Sequence, residues 1–239
     1  PMPIPEYDPD GHRFVPPPGQ EIADPMVGFY RVGYENGAEG VFVPVGGRWS
    51  IDVQGTDGSA VFADDNDPLG MSAMFRSFVA GQLATLRELT LFYAPNINSY
   101  KRFVDGSFAP TAIAWGLDNR TCALRVVGHG AGMRMECRAP GGDVNQYLAT
   151  AALIAGGLHG IEQGLELPDA TDGNAYTSGA DRLPTTMSEA AELFDKSEIA
   201  RAAFGDDVVD HYLNYAHVEL AAFNAAVTDW ERRRCFERL

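Results

Sequence analysis

Residues 120–138, RTCALRVVGHGAGMRMECR, decide how this chain folds. Two short runs with the character of β-strands flank a glycine-rich turn at residues 128–132. In the second run Arg134, Glu136 and Arg138 alternate with apolar residues, and a strand's side-chain period of two puts these three in one row on one face. The methionine and cysteine side chains between them face the other way. The pattern predicts a β-hairpin with one charged and one apolar face.

The Arg-Glu-Arg row has two interpretations. A carboxylate between two guanidinium groups suits a metal–nucleotide site, because Glu136 can hold a hard cation while the arginines bind phosphate or carboxylate oxygens in bidentate fashion. The same pattern is also typical of the solvated outer face of an edge strand, where two surface ion pairs contribute little energy. The three residues alone do not choose between these interpretations.

Composition narrows the classes of protein to which the chain can belong. It has 239 residues, 45% hydrophobic and 10% aromatic, which is typical of a folded globule with a sizeable core. A net charge of −15 disfavours nucleic acids and anionic membrane surfaces as partners. Three cysteines without CxxC spacing, no signal peptide and no apolar run of transmembrane length predict a cytoplasmic protein. With 18 lysines and arginines in all, a site for anionic ligands requires these few cations to be concentrated locally.

Residues 1–54 differ in amino-acid composition from the rest of the chain. Prolines punctuate this stretch and disfavour helices. Short strand-like runs occur within residues 28–45, with a hairpin turn predicted at Asn36-Gly37. The stretch contains no functional motif. We therefore predict a boundary between residues 54 and 55, with a proline-rich segment before it.

Beyond that boundary, apolar residues repeat every three or four positions in two long stretches. The first predicts a helix that begins at an Asp67 cap and ends near Ala94, and the second a helix that begins at an Asp143 cap. Between them, residues 95–103 predict a polar loop. Three glycines weaken the second helix intrinsically, so we expect another element to pack closely against it there.

The last quarter of the chain predicts further helices. Thr186 and Ser197 are caps for two short ones, the second of which ends at Gly205. A long amphipathic helix follows from Asp206, either unbroken or restarted near Thr228.

Five short motifs occur along the same part of the chain. They are Asn98-Ser99-Tyr100-Lys101-Arg102, Asp118-Asn119-Arg120-Thr121, Arg134-Met135-Glu136-Cys137-Arg138, Asp143-Val144-Asn145-Gln146-Tyr147-Leu148 and Val227-Thr228-Asp229-Trp230-Glu231. In this order and spacing, the chain resembles the C-terminal part of a glutamine synthetase catalytic domain over about residues 55–239. Within that family it most resembles the γ-glutamylpolyamine and γ-glutamylethanolamide synthetases. The resemblance implies an α+β fold in which antiparallel strands pack with long helices.

An ATP-dependent ligase activity is what the resemblance implies. Such enzymes use ATP with Mg²⁺ or Mn²⁺ to convert glutamate to γ-glutamyl phosphate, which ammonia or an organic amine then attacks to give a γ-glutamyl amide. They form stacked rings with active sites between neighbouring subunits. The partners implied are therefore these small molecules and either further copies of the chain or an intact paralogue.

The motifs carry the family's site residues onto this sequence. Arg102 and Arg138 would bind the carboxylates of glutamate, and Arg120 would face the phosphoryl group in transfer. Glu136 would bind a metal ion that bridges phosphate oxygens. The implied ATP-binding residues are Asn98, Ser99, Lys101, Arg125 and Arg134.

Two departures from the family pattern limit these expectations. Phe108 stands where ammonia-using members have a glutamate that binds and deprotonates ammonium; its ring offers an apolar wall or a cation–π face, which favours an organic amine. Where the family has an H-x-H motif this chain reads Arg48-Trp49-Ser50-Ile51-Asp52, and no E-x-E strand precedes it. Glu35, Glu39 and Asp52 are further carboxylates, but no spacing assigns them to the site. The alternative to an enzyme is a non-catalytic remnant that binds nucleotide or glutamate, or serves as an assembly partner.

Overall fold

The computed structural model describes the backbone of five strands between residues 6 and 54, and residues 62–236 and 238 in full. The strands are β1 (Glu6–Asp8), β2 (Arg13–Val15), β3 (Tyr30–Gly33), β4 (Glu39–Val45), β5 (Arg48–Gln54), β6 (Trp115–Leu117), β7 (Leu124–Val127) and β8 (Arg134–Cys137). The helices are α1 (Ala73–Thr85), α2 (Thr90–Tyr93), α3 (Ile97–Tyr100), α4 (Gln146–Glu162), α5 (Met187–Asp195), α6 (Glu198–Phe204), α7 (Asp206–Ala225) and α8 (Asp229–Phe236).

Six strands form one mixed sheet in the order β3-β4-β5-β8-β7-β6, while β1 and β2 pair with each other. Neighbouring strands of the sheet are antiparallel except β6 and β7, which run parallel, so the expectation of antiparallel strands holds for all pairs but this one. The hairpin of β7 and β8 is confirmed, with Arg125 opposite Glu136. On its other side β8 pairs with β5, whose Ser50 lies opposite Glu136. Because β8 is an interior strand, the edge-strand interpretation of its charged row is wrong.

The division of the chain at residues 54 and 55 stays a prediction. β5 ends at Gln54 and pairs with β8, so strands from both sides of the predicted boundary share one sheet. The turn predicted at Asn36-Gly37 lies outside the described residues, but the strands on either side of it, β3 and β4, pair in antiparallel fashion.

The apolar face of the hairpin is part of the main hydrophobic core. Met135 and Cys137 of β8 are fully buried, as are Leu124 and Val126 of β7. They belong to one cluster with apolar residues of the helices. Full burial of such side chains stabilises a fold by about 1.5–3 kcal/mol each, which holds the hairpin in place and leaves its other face for the charged residues.

Helices α1 and α4 pack through glycines, as the glycine content of the second predicted helix suggested. A Cβ atom on Gly81 would lie 2.2 Å from the carbonyl oxygen of Gly156, and one on Gly160 would lie 2.0 Å from the carbonyl oxygen of Ser77. Only hydrogen atoms fit at these positions, so the two helix backbones approach directly. The expected close packing is confirmed.

The first predicted helix begins later than expected and is divided. Ser72 is the true cap of α1, since its hydroxyl accepts a hydrogen bond from the N–H of Phe75. Asp67 instead accepts two hydrogen bonds of 2.7 Å from Arg76 and closes the turn before the helix. The periodicity continues through residues 86–89, but turns there separate α1 from α2.

The predicted cap at Asp143 and the loop predicted at residues 95–103 are both wrong. Asn145 caps α4, with its side-chain oxygen accepting from the N–H groups of the first turn. The carboxylate of Asp143 is bound instead by Ser99 and Asn96. Those two residues form a capping box around the short helix α3, which occupies the predicted loop.

The later helices agree with the prediction. Thr186 and Ser197 accept hydrogen bonds from the first turns of α5 and α6, and Gly205, with φ +80°, ends α6. The helix that follows is restarted, since α7 ends before Thr228 and α8 begins after it. Within residues 62–236, no helix is long and apolar enough to cross a membrane.

Candidate active site

A buried ion pair lies at the centre of the charged face of the hairpin. The Nη1 atom of Arg125, on β7, lies 2.8 Å from Oε2 of Glu136, on β8. Only 11% of the Arg125 side chain and 10% of the Glu136 side chain are exposed. Removing one partner of such a pair would leave an uncompensated charge away from water, which is strongly destabilising. Glu136 is therefore not a solvated surface carboxylate.

Asp118 extends this pair into a cluster of three charges. Its Oδ1 atom accepts a hydrogen bond of 2.9 Å from Nε of Arg125 and another from Nη2. These hydrogen bonds lower the pKa of the Asp118 carboxyl. Burial by itself would lower the pKa of Arg125, but hydrogen bonds to Asp118 and Glu136 outweigh burial and raise it. The guanidinium is thus shared between an exposed and a buried carboxylate.

Two residues of the site have a backbone conformation that is unusual for any residue other than glycine. Among the described residues, the non-glycine residues with positive φ are Phe108 (62°) and Asp118 (47°). The left-handed region costs an L-residue roughly 1–2 kcal/mol, and it persists where the surroundings impose it. The carbonyl oxygen of Phe108 accepts a hydrogen bond of 2.8 Å from Arg138, and the carboxylate of Asp118 binds Arg125. Both unusual conformations therefore occur where the chain contacts a predicted site arginine.

Arg102 and Arg138 approach the same backbone segment. Arg138 follows β8 directly and is buried, and Arg102 donates a hydrogen bond to the carbonyl of Ala139, the next residue. Burial lowers the pKa of Arg102, and the nearby Asp143 carboxylate offsets part of this effect. The structure thus brings the Arg102 guanidinium to the backbone directly after Arg138, and their roles toward glutamate stay predictions.

Asp143 organises the short helix that precedes Arg102. Its Oδ2 atom accepts hydrogen bonds from Ser99 Oγ at 2.5 Å and from Asn96 Nδ2 at 3.0 Å. Burial would raise the pKa of Asp143, but these hydrogen bonds outweigh it and lower the pKa. The Ser99 hydroxyl is buried and already engaged within the protein, and its contact with ATP stays a prediction.

The other predicted residues lie nearer the surface. Asn98 and Lys101 are exposed, and the Lys101 ammonium lies 5.8 Å from the centre of the Phe223 ring of α7. Arg120 is exposed, and Arg134 is partly buried and donates to the carbonyl of the hairpin turn at 3.2 Å. Their roles toward ATP and the phosphoryl group stay predictions.

Several hydrogen bonds hold the loop that carries Phe108. Asp105 binds Arg182 through hydrogen bonds of 2.7 and 3.1 Å and accepts another of 2.6 Å from Thr111. The hydroxyl of Tyr176 donates to the carbonyl that follows Phe108, at 3.0 Å. The Phe108 side chain itself is 69% exposed. The loop is therefore fixed at its base and presents an aromatic side chain at its tip.

The described residues do not form a divalent metal site by themselves. Within residues 62–236, no three His, Cys, Asp or Glu side chains lie close enough together to hold a metal ion. Glu136 contributes one carboxylate, which is already paired with Arg125, whereas Mg²⁺ takes six oxygen ligands. The side chains of Glu35, Glu39 and Asp52 lie outside the described residues.

Asp118 and Asp143 are the site carboxylates that sequence reasoning missed. The motif that contains Asp118 implies no role for that residue, and the sequence pattern predicts Asp143 as a helix cap. One signal was available for the first of them. An arginine such as Arg125 within an apolar strand requires an acidic partner, because a buried charge is costly unless it is paired.

Comparison with known proteins settles which family these features belong to. The family profile of the glutamine synthetase catalytic domain matches residues 49–235. The chain belongs to the glutamine synthetase family. Its relatives in that family include the gamma-glutamylethanolamide synthetase GlnA4 of Streptomyces coelicolor, 68% identical over 170 residues, which are 71% of this chain and 37% of that protein. The glutamate–isopropylamine ligase of a Pseudomonas species is 40% identical over 181 residues, 74% of this chain and 39% of that protein.

A solved structure has the same fold as this chain. The structure described as a GmaS/ADP complex has a TM-score of 0.71 and 27% sequence identity, covering 83% of this chain and 46% of that one. The α+β fold of the glutamine synthetase catalytic domain and the likeness to γ-glutamylethanolamide synthetases are thereby confirmed. This glutamine synthetase family chain spans less than half the length of each of these three relatives.

Proposed function

We propose that this chain forms one wall of the active site of an ATP-dependent ligase that makes γ-glutamyl amides through γ-glutamyl phosphate. The observation that carries the proposal is the buried Arg125–Glu136 pair, with Arg134 and Arg138 beside Glu136 along the same strand face. In a protein of net charge −15, cations concentrated at one place attract phosphates and carboxylates locally. Both ligand types occur in the proposed reaction.

Each residue has a proposed role in that reaction. Arg102 and Arg138 bind the glutamate carboxylates. Arg120 faces the transferring phosphoryl group, where a fixed guanidinium stabilises charge that develops on the oxygens in flight. Glu136 is proposed as one ligand of Mg²⁺ or Mn²⁺, the remaining ligands coming from residues other than those the structure describes. The proposed ATP-binding residues are Asn98, Ser99, Lys101, Arg125 and Arg134.

An organic amine is the proposed acceptor, in preference to ammonia. Phe108 belongs to a loop held by hydrogen bonds, and its backbone carbonyl accepts a hydrogen bond from Arg138, a proposed glutamate-binding arginine. An aromatic ring cannot take a proton from ammonium, but it can cover an alkyl group or contact a cation through its face. The relatives that act on ethanolamine-type and isopropylamine substrates, according to their names, support the same choice.

We also propose that another copy of the chain, or an intact paralogue, completes the site. We propose the cytoplasm as the compartment. The resemblance supports the completion of the site in this way, because active sites of the family form between neighbouring subunits. The buried free thiols of Cys122 and Cys137 fit a reducing compartment. Static light scattering tests the assembly, and a monomeric mass at micromolar concentration would contradict the first alternative.

Calorimetric titration of ATP with Mg²⁺ tests the main proposal. We expect the wild-type chain to bind ATP and Glu136→Gln to bind it at least about tenfold more weakly, since one charged contact contributes roughly 1.5–3 kcal/mol. Glu189→Gln is the control, because it removes a carboxylate from the partly exposed pair with Arg87, outside the site. Failure of the wild type to bind ATP would instead favour a non-catalytic assembly partner.

The amine preference has its own test. The assay measures phosphate release by the protein together with the partner that completes its site. In it, Phe108→Glu should raise turnover with ammonia relative to turnover with ethanolamine. An unchanged ratio of the two rates would contradict the proposed role of Phe108.

A further inference from the structure

Asp118 uses an exposed carboxylate to hold a buried guanidinium. Its side chain is 76% exposed, whereas that of Arg125 is 11% exposed. The carboxylate receives hydrogen bonds from Nε and Nη2 of Arg125, while Nη1 donates to Glu136 on the other side. The guanidinium is therefore held on one side by Glu136 and on the other by Asp118. The family resemblance implies no role for Asp118.

Arg125 retains hydrogen-bond donors after these contacts are made. A guanidinium has five N–H groups, and the three hydrogen bonds to Asp118 and Glu136 leave one N–H on each Nη atom. Two donors on one planar group suit two oxygens of a phosphate. Without Asp118 a single hydrogen bond, to Glu136, would set the orientation of these donors.

The backbone of Asp118 is held so that its carboxylate reaches Arg125. Its N–H donates a hydrogen bond of 2.9 Å to the carbonyl of Val126 on β7, directly beside Arg125 in the chain. Its φ of +47° turns the chain at the end of β6. A non-glycine residue in the left-handed region at a candidate active site is the kind of outlier from which a functional role is inferred.

We propose that Asp118 is a positioning residue, which orients Arg125 so that its two remaining N–H groups bind a phosphate of ATP. The inference rests on the proposed function and deepens it. Asp118 touches Arg125 and acts through it.

A simple charge effect would act in the opposite direction. Removing an exposed negative charge next to an anion-binding site reduces the repulsion of ATP and so strengthens its binding. The effect is small, because salt screens surface charges. Loss of positioning weakens ATP binding. The sign of the change therefore separates the two effects.

Two variants and one control test the proposal by ATP titration. Asp118→Gly and Asp118→Asn both tolerate a positive φ, so neither perturbs the turn. We expect Asp118→Gly to weaken ATP binding about tenfold, and Asp118→Asn to weaken it less because its amide oxygen still accepts a hydrogen bond. Asp206→Asn is the matched control, since Asp206 is 74% exposed and pairs with Arg201 at 2.7 Å on other elements; its ATP affinity should not change.

A second measurement does not depend on ATP. The Nε–H proton of Arg125, observed by NMR, should exchange slowly with solvent in the wild type and rapidly in Asp118→Gly. Unchanged exchange in Asp118→Gly, or ATP binding as tight as in the wild type, would overturn the proposal. If the wild type binds no ATP, the proposed function fails for this chain, and the exchange rate alone decides whether Asp118 positions Arg125.

Discussion

The glycine contact between α1 and α4 offers a sharp test through Gly160→Ala. The added Cβ atom would lie 2.0 Å from the carbonyl oxygen of Ser77 and 2.6 Å from Cα of Gly81, where real Cβ atoms essentially never come within 3.0 Å. Both obstacles are backbone atoms, so rotation of a side chain cannot relieve them. The helices would have to separate by about 1 Å, the difference between 3.0 and 2.0 Å.

The cost of this separation follows from the loss of packing. A gap of 0.5–1 Å forfeits roughly a quarter to a half of the dispersion attraction between facing atoms. Overpacking a core typically costs about 1–3 kcal/mol, and we take the upper value because the backbone cannot yield locally. Alanine is intrinsically favoured over glycine in a helix by about 1 kcal/mol, which offsets part of this cost. The net loss is about 2 kcal/mol, a decrease in Tm of roughly 4–8 °C for a chain of this length.

Thermal unfolding followed by circular dichroism measures the effect. Gly142→Ala is the control, because its added Cβ would meet no atom within 4 Å; the free energy of unfolding should change by no more than about 0.5 kcal/mol. If Gly160→Ala were as stable as the wild type, or more stable, intrinsic helix propensity would outweigh packing, and the direct contact of the two helices would be refuted.

Three further outcomes are expected. Glu136→Gln should lower the free energy of unfolding in urea by about 2 kcal/mol, because the buried guanidinium loses a charged partner; a change below about 0.5 kcal/mol would be evidence against a buried pair. At pH 8, iodoacetamide should modify native Cys235 but spare Cys122 and Cys137, because burial raises the pKa of their thiols to about 11 and about 12; mass spectrometry showing more than one modified cysteine in the native protein would contradict this. Hydrogen bonds keep the pKa of Asp143 below its ordinary value of 3.8, so its contribution to stability is present above pH 3.8 and lost as pH falls through the lowered pKa. The urea concentration at the unfolding midpoint should therefore fall less steeply with decreasing pH in Asp143→Asn than in the wild type. An equally steep fall in both proteins would count against the expectation.

Local patterns predicted the elements of this fold well where their causes are local. Alternating residues predicted the hairpin of β7 and β8, and hydroxyl caps at Thr186 and Ser197 predicted two helix starts. The cap at Asp67 was wrong because this carboxylate closes the turn before the helix, and the cap at Asp143 was wrong because that carboxylate binds side chains distant in the chain. Asp143 binds Ser99, 44 residues away in the chain, and a local pattern contains no information about such a partner.

By itself, the sequence determined the family, the order of its motifs and the alternation that puts Arg134, Glu136 and Arg138 on one strand face. Only the tertiary structure decided that this strand is interior, and that Glu136 shares Arg125 with Asp118. The reason is physical. Side-chain periodicity is a property of one strand, whereas burial and ion pairing depend on which strands become neighbours and in which register, and the packing of the whole chain sets both.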